Sequence, residues 1–180
     1  MLQDSDGIVQ LELQYRQGVH AARDEQHGDT AWQERHQEEF QTHGLRWAHI
    51  GPTPDMKQSP WFKTLTERER DLVVFVHHAA LDVESIDVGQ PIGRHRPTTS
   101  SSPAVTVPPG EKRYNMKTHR LRVAPEALAL QAIPWEEMDL SFEPPVLHSL
   151  AGNAWTGTVC AAFFSGWSCT CLSLSSRSRR

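Results

Sequence analysis

Arg122-Val123-Ala124-Pro125-Glu126-Ala127-Leu128-Ala129-Leu130-Gln131-Ala132-Ile133-Pro134 is the stretch that decides the fold class. Leu121-Arg122-Val123 reads as a short strand. Pro125 then suits the first turn of a helix, where its missing N–H leaves no bond unmade. The residues from Glu126 to Gln131 favour that helix, and Pro134 ends it. A strand that feeds directly into a helix predicts a mixed α/β chain.

Working outward, Thr66-Glu67-Arg68-Glu69 has the spacing of a capping box, in which a Thr hydroxyl and a Glu carboxylate each cap the other residue's amide. Leu72, Val73, Phe75, Val76, Ala79 and Ala80 follow at helical spacing, so a core helix is expected over 66–80. His77 and His78 are adjacent and leave the backbone in different directions, unlike the i, i+4 pair of a metal site. Residues 89–110 hold many Pro and Gly around Thr98-Thr99-Ser100-Ser101-Ser102, which is linker composition, with a short strand expected at Pro103 to Val107. Towards the N-terminus, Ile8, Val9, Leu11 and Leu13 suggest a short strand followed by a polar helix. Trp32 to Phe40 reads as a peripheral helix with a thin apolar face. Gly44, Gly51, Pro52, Pro54 and Pro60 make 44–60 a connecting loop.

Charge by itself does not point to a nucleic-acid partner. The formal net charge of the 180 residues is −4, and the basic residues are scattered, so DNA binding cannot be argued from electrostatics. Apolar residues at 38% and charged residues at 22% give a somewhat polar chain with long loops. The three cysteines, Cys160, Cys169 and Cys171, form no even disulfide framework, and no basic stretch leads into an apolar core near Met1. An intracellular chain is expected. Ser149 to Ser176 carries no charge, but its Asn, Thr and Ser load suits a half-buried helix and a Ser/Arg tail better than a membrane anchor.

The 122–134 stretch resembles a segment of cytosine-5 DNA methyltransferases, in which an Arg precedes a capped helix carrying Glu and ending Leu-Gln-Gly-Phe-Pro. After a polar loop, Leu150-Ala151-Gly152-Asn153-Ala154-Trp155-Thr156-Gly157-Thr158-Val159 is similar to the family's last motif, a Gly-Asn-Ala turn that opens a helix. Asp87-Val88-Gly89-Gln90 with Arg94 resembles, more loosely, the end of a target-recognition region. Ala124 stands where the family has a Thr or Ser cap, and Ala132-Ile133 replaces Gly-Phe.

The resemblance implies an α/β fold that is an incomplete fragment of a Rossmann-like methyltransferase domain with long loops. It divides the chain into a polar segment at 1–59, a methyltransferase-like region at 60–167 and a Ser/Arg tail at 168–180. It implies S-adenosylmethionine as cofactor, DNA as partner and the nucleus as compartment. Gly152, Asn153 and Ala154 stand on the cofactor side, and Arg122, Glu126 and Gln131 support the target-recognition region. No catalytic or metal-binding residue is carried over. The chain holds no Pro-Cys nucleophile and no Phe-x-Gly-x-Gly loop, so methyl transfer by this chain alone is not expected, and a catalytic half would come from upstream or from a second chain. Cys160 reads as a buried hydrophobe rather than a nucleophile. No P-loop, Gly-x-Ser-x-Gly or His-Glu-x-x-His is present. The alternative is a non-catalytic interaction or structural module built on the 66–80 helix and the helix after Asn153.

Overall fold

The computed structural model describes residues 5–23, 31–79, 81–95, 97–99, 111–137 and 143–153. Helices are mixed with one small antiparallel sheet. The chain divides into two compact units, residues 1–104 with 110–123, and residues 105–109 with 124–180. The expected strand at 103–107, the helix at 154–167, the three cysteines and the Ser/Arg tail lie outside the described residues.

The first unit is organised by helix α5, Glu67–His78. Its start is the expected capping box: the Glu69 amide donates to Thr66 Oγ1 at 3.4 Å, and the Thr66 amide donates to Glu69 Oε2 at 3.0 Å. Leu72, Val73, Phe75 and Val76 are all buried, as their spacing requires.

Helix α1, Ser5–Arg23, replaces the strand expected at Ile8 to Leu13. Alternation at 9, 11 and 13 matched a strand, yet Leu11 is 66% exposed whereas Glu12 and Leu13 are buried. Glu12 also accepts from Arg16 one helical turn on, at 2.9 Å. Helix α2, Ala31–Thr42, is likewise less peripheral than expected: Phe40 and His36 are fully buried. A histidine counted as polar supplies half of its inner face. Its end is a Schellman closure, with Leu45 N–H bonded to Phe40 O at 2.8 Å, Gly44 N–H bonded to Gln41 O at 2.9 Å, and Gly44 at φ +71°.

The prolines of 44–60 start helices instead of excluding them. Helix α3, Pro54–Gln58, and helix α4, Pro60–Lys63, each begin with Pro at the first position behind a hydroxyl cap, Thr53 and Ser59. Met56, Trp61 and Phe62 thereby enter the core.

Strands β1 (Ser85–Asp87), β2 (Arg113–Asn115) and β3 (Arg120–Leu121) form the sheet in the order β1-β2-β3, antiparallel throughout. Asn115 Oδ1 accepts from the Lys117 and Thr118 amides and so sets the β2–β3 turn. Tyr114 on β2 is fully buried, and burial pushes its phenol above the ordinary value.

Side chains tie α5 to this sheet. Arg68 donates to Val88 O at 3.0 Å and Gln90 O at 2.8 Å, and Lys112 Nζ lies 2.6 Å from Glu69 Oε1. Burial pushes the Glu69 carboxyl up. The Lys112 ammonium, the Thr66 amide and Arg68 together outweigh this and hold it below its ordinary 4.5. The folded chain therefore binds a proton at Glu69 less readily than the unfolded chain does, so this contribution is complete above pH 4.5 and fades as pH falls through the depressed value. Glu69→Gln should cost about 2 kcal/mol at pH 7. The difference in melting temperature between variant and parent should shrink on titration towards pH 3, and a pH-independent difference would refute the charge pairing.

In the second unit, helix α6 (Ala124–Leu130) packs on helix α7 (Pro144–Asn153). Ala127, Leu128 and Ala151 are its buried centre, with Ile133 and Trp135 packed against them. Helix α6 follows the sequence expectation closely. Helix α7 does not, because its first half falls in the polar loop expected between the two resembling segments. Pro144 again stands at a helix start, and Leu147 supplies a buried contact.

Candidate functional site

Helix α5 presents Glu67, Arg70, Asp71 and Val74 along one stripe, the i, i+3, i+4, i+7 positions of a single face. Helix α2 brings Trp32 and His36, also one turn apart, and a single 3-10 turn at Trp47–His49 brings Trp47. Trp32, Trp47 and this stripe of α5, with Lys57 of α3 and Phe62 and Lys63 of α4, line an open cleft of about 510 Å³ in the first unit.

Asp71 holds its inner wall. Trp47 Nε1–H donates to Asp71 Oδ1 at 2.7 Å, and His36 Nδ1 lies 2.5 Å from Asp71 Oδ2. Both carboxylate oxygens are thus engaged inside the protein. Trp32 meets Trp47 edge-on, with ring centroids 6.4 Å apart and planes at 89°, and meets His36 at 4.9 Å and 73°. Edge-to-face contacts of this kind fix ring orientation.

Lys57, Lys63, Arg70 and Glu67 supply charge to the lining, and Phe62 supplies a further aromatic ring. Arg70 Nε is buried with no hydrogen-bond partner. A buried N–H left unsatisfied costs about 1–3 kcal/mol, so this is a position where an acceptor would be welcome. None of these residues was singled out in the sequence as a site. Trp32 and His36 at i, i+4 and the adjacent Arg70 and Asp71 mark no site by themselves, and Trp47 sits in an aperiodic loop and joins them only through the fold.

The residues singled out in the sequence are spread over both units. Arg122, half-buried in the first unit, donates to Glu111 Oε2 at 3.1 Å. Glu126 lies in the first turn of α6, where a carboxylate suits the positive end of the helix dipole. Gln131 is buried just beyond that helix. Gly152 and Asn153 occupy the last described turn of α7, so within the described residues they lie in a helix rather than in a turn that opens one. Ala154 lies outside the described residues.

Helix α6 ends in a second Schellman closure, Ile133 N–H to Leu128 O at 3.1 Å and Ala132 N–H to Ala129 O at 2.9 Å. Ala132 has φ +55°. Here an alanine takes the left-handed position that Gly44 fills at the end of α2, at a cost of about 1 kcal/mol. Ala132→Gly should therefore stabilise the second unit by up to about 0.6 kcal/mol, net of the greater freedom of unfolded glycine. Chemical denaturation checks this, and a loss of stability would contradict the strain.

His77 and His78 leave the backbone in different directions, yet their rings meet edge-on at 5.1 Å. Partial burial, then the neighbouring His78 and His119 imidazoles, hold His77 below its ordinary value. Among the described residues no group of three His, Cys, Asp or Glu side chains is placed to hold a metal ion. Among those residues, too, no helix is long and apolar enough to cross a membrane. No protein-family model and no curated protein matches the chain.

Proposed function

We propose that this chain is the non-catalytic closing region of a cytosine-5 DNA methyltransferase-like protein that works with S-adenosylmethionine. The observation that carries the reading is Ala132. In Leu130-Gln131-Ala132-Ile133-Pro134 it occupies the place of the glycine in Leu-Gln-Gly-Phe-Pro, and it adopts the left-handed backbone that makes glycine the natural residue there. A left-handed helix end is common in itself, but here it falls on the one position where the resembling pattern demands it. A second support is that the two resembling segments pack on each other, through Ala127, Leu128 and Ala151.

On this reading Gly152, Asn153 and Ala154 contribute one wall of a cofactor pocket, and Arg122, Glu126 and Gln131 brace the approach to the DNA target. Three consecutive residues cannot enclose both the adenosyl and the methionine ends of the cofactor. No step of methyl transfer is therefore assigned to this chain. Nucleophile, Gly-rich loop and the parallel strands of a Rossmann-like sheet come from another segment or chain. A nuclear location follows from the same reading.

The test is binding without turnover. The purified chain should bind S-adenosylhomocysteine in a calorimetric titration, weakly because it supplies one wall of the pocket, and a cytosine-containing duplex by fluorescence anisotropy, while transferring no labelled methyl group. Failure to bind either partner would sink the reading.

A second reading, a non-catalytic binding module, is favoured by the aromatic cleft along α5, which owes nothing to the resembling segments.

A further inference from the structure

We infer that the cleft between α2, α4 and α5 is a binding site for a small planar ring bearing an anionic group, a base-plus-phosphate unit being the chemistry that fits it best. The inference does not rest on the methyltransferase reading, because none of the residues involved belongs to the segments that carry the resemblance.

Three features select this ligand. The first is shape. Trp32 and Trp47 meet edge to face at 89° and line the cleft together with Phe62. Flat rings stack well on aromatic faces, and a cleft of about 510 Å³ lies within the roughly 300–1,000 Å³ range of small-molecule sites.

The second feature is charge. Glu67 and Asp71 are the acids in the lining, against the three cations Lys57, Lys63 and Arg70, and both Asp71 oxygens are already turned towards Trp47 and His36. Cations outnumber acids by one, which favours an anionic ligand group. An aromatic lining can also receive a quaternary ammonium, but three cations in the same lining oppose that occupant.

The third is an unfilled bonding position. Arg70 Nε–H is buried without a partner. A phosphate oxygen in the cleft would accept a charge-assisted bond from the Arg70 guanidinium after a side-chain rotation that brings its covered Nε–H to the cleft, and the planar guanidinium suits that geometry better than an ammonium does. The exposed Lys57 and Lys63 act as point charges at the rim.

The experiment is a calorimetric titration of the full chain with adenosine 5′-monophosphate, adenosine and inorganic phosphate. The mononucleotide should bind at least tenfold more tightly than either half. Arg70→Gln should weaken it about tenfold, a change of about 1.4 kcal/mol. Should Arg70→Gln unfold the chain, the double variant Lys57→Ala/Lys63→Ala changes only exposed side chains and should lower affinity while leaving the melting temperature in place. A short single-stranded oligonucleotide separates the two sources of a base-phosphate unit: weaker binding than the mononucleotide identifies a free ligand, and tighter binding identifies a strand. Mononucleotide binding no tighter than phosphate, unchanged affinity in both variants, or preferential binding of tetramethylammonium would overturn the proposal.

Discussion

Glu111→Ala should lower the stability of the first unit by about 3–5 kcal/mol, the range for breaking a buried ion pair by removing one partner. The Glu111 side chain is 1% exposed and lies between two guanidiniums, hydrogen-bonding to Arg113 through one oxygen and to Arg122 through the other. Arg113 is on β2 and buried, and Arg122 directly follows β3, with its amide bonded to Arg113 O at 2.7 Å. Removing the carboxylate leaves two like charges close together in a low-dielectric setting, which costs more than the pair's own net contribution. Urea denaturation measures the loss. The triple variant Glu111→Leu/Arg113→Met/Arg122→Met should recover most of it, because apolar side chains of similar volume carry no desolvation penalty. A loss below about 1 kcal/mol for Glu111→Ala would mean that the cluster behaves as a solvent-screened surface pair.

Phe75→Ala should cost about 3–5 kcal/mol, the transfer free energy of the ring plus the cavity it leaves. Phe75 is 1% exposed on α5 and meets Phe40 of α2 with centroids 5.1 Å apart. It also receives the edge of the His43 ring at 5.0 Å and 84°. One truncation therefore removes an aromatic contact that, together with the His36–Asp71 bond, seats α2 on α5. Phe75→Leu keeps most of the volume and should cost about 1.5 kcal/mol or less. Equal losses for Leu and Ala would show that ring orientation, rather than volume, holds the two helices. Because α2 carries Trp32 and Gln33 into the cleft, Phe75→Ala should also weaken ligand binding there, whereas Phe75→Leu should not.

The amino-acid sequence by itself determined the elements whose signals are local. Thr66 and Glu69 cap α5 whatever packs on it, since both bonds close within one turn, and the period of Leu72, Val73, Phe75 and Val76 names the buried face. Pro125 and the run to Leu130 specify α6 in the same way. Tertiary structure decided what local pattern leaves open. Ile8 to Leu13 suits a strand or a helix, and the burial of Glu12 and Leu13 beside an exposed Leu11 selects the helix. Pro54, Pro60 and Pro144 each fit a loop or a helix start, and neighbouring caps and buried partners choose the latter. The same division governs the sites. Gln131 and Ala132 stood out because their pattern is contiguous, and the left-handed φ of Ala132 adds a strain that only the backbone reveals. The cleft was not legible, because Trp32, Trp47 and Asp71 are remote in sequence, and nothing local marks a carboxylate whose two partners are an indole and an imidazole brought to it by the fold.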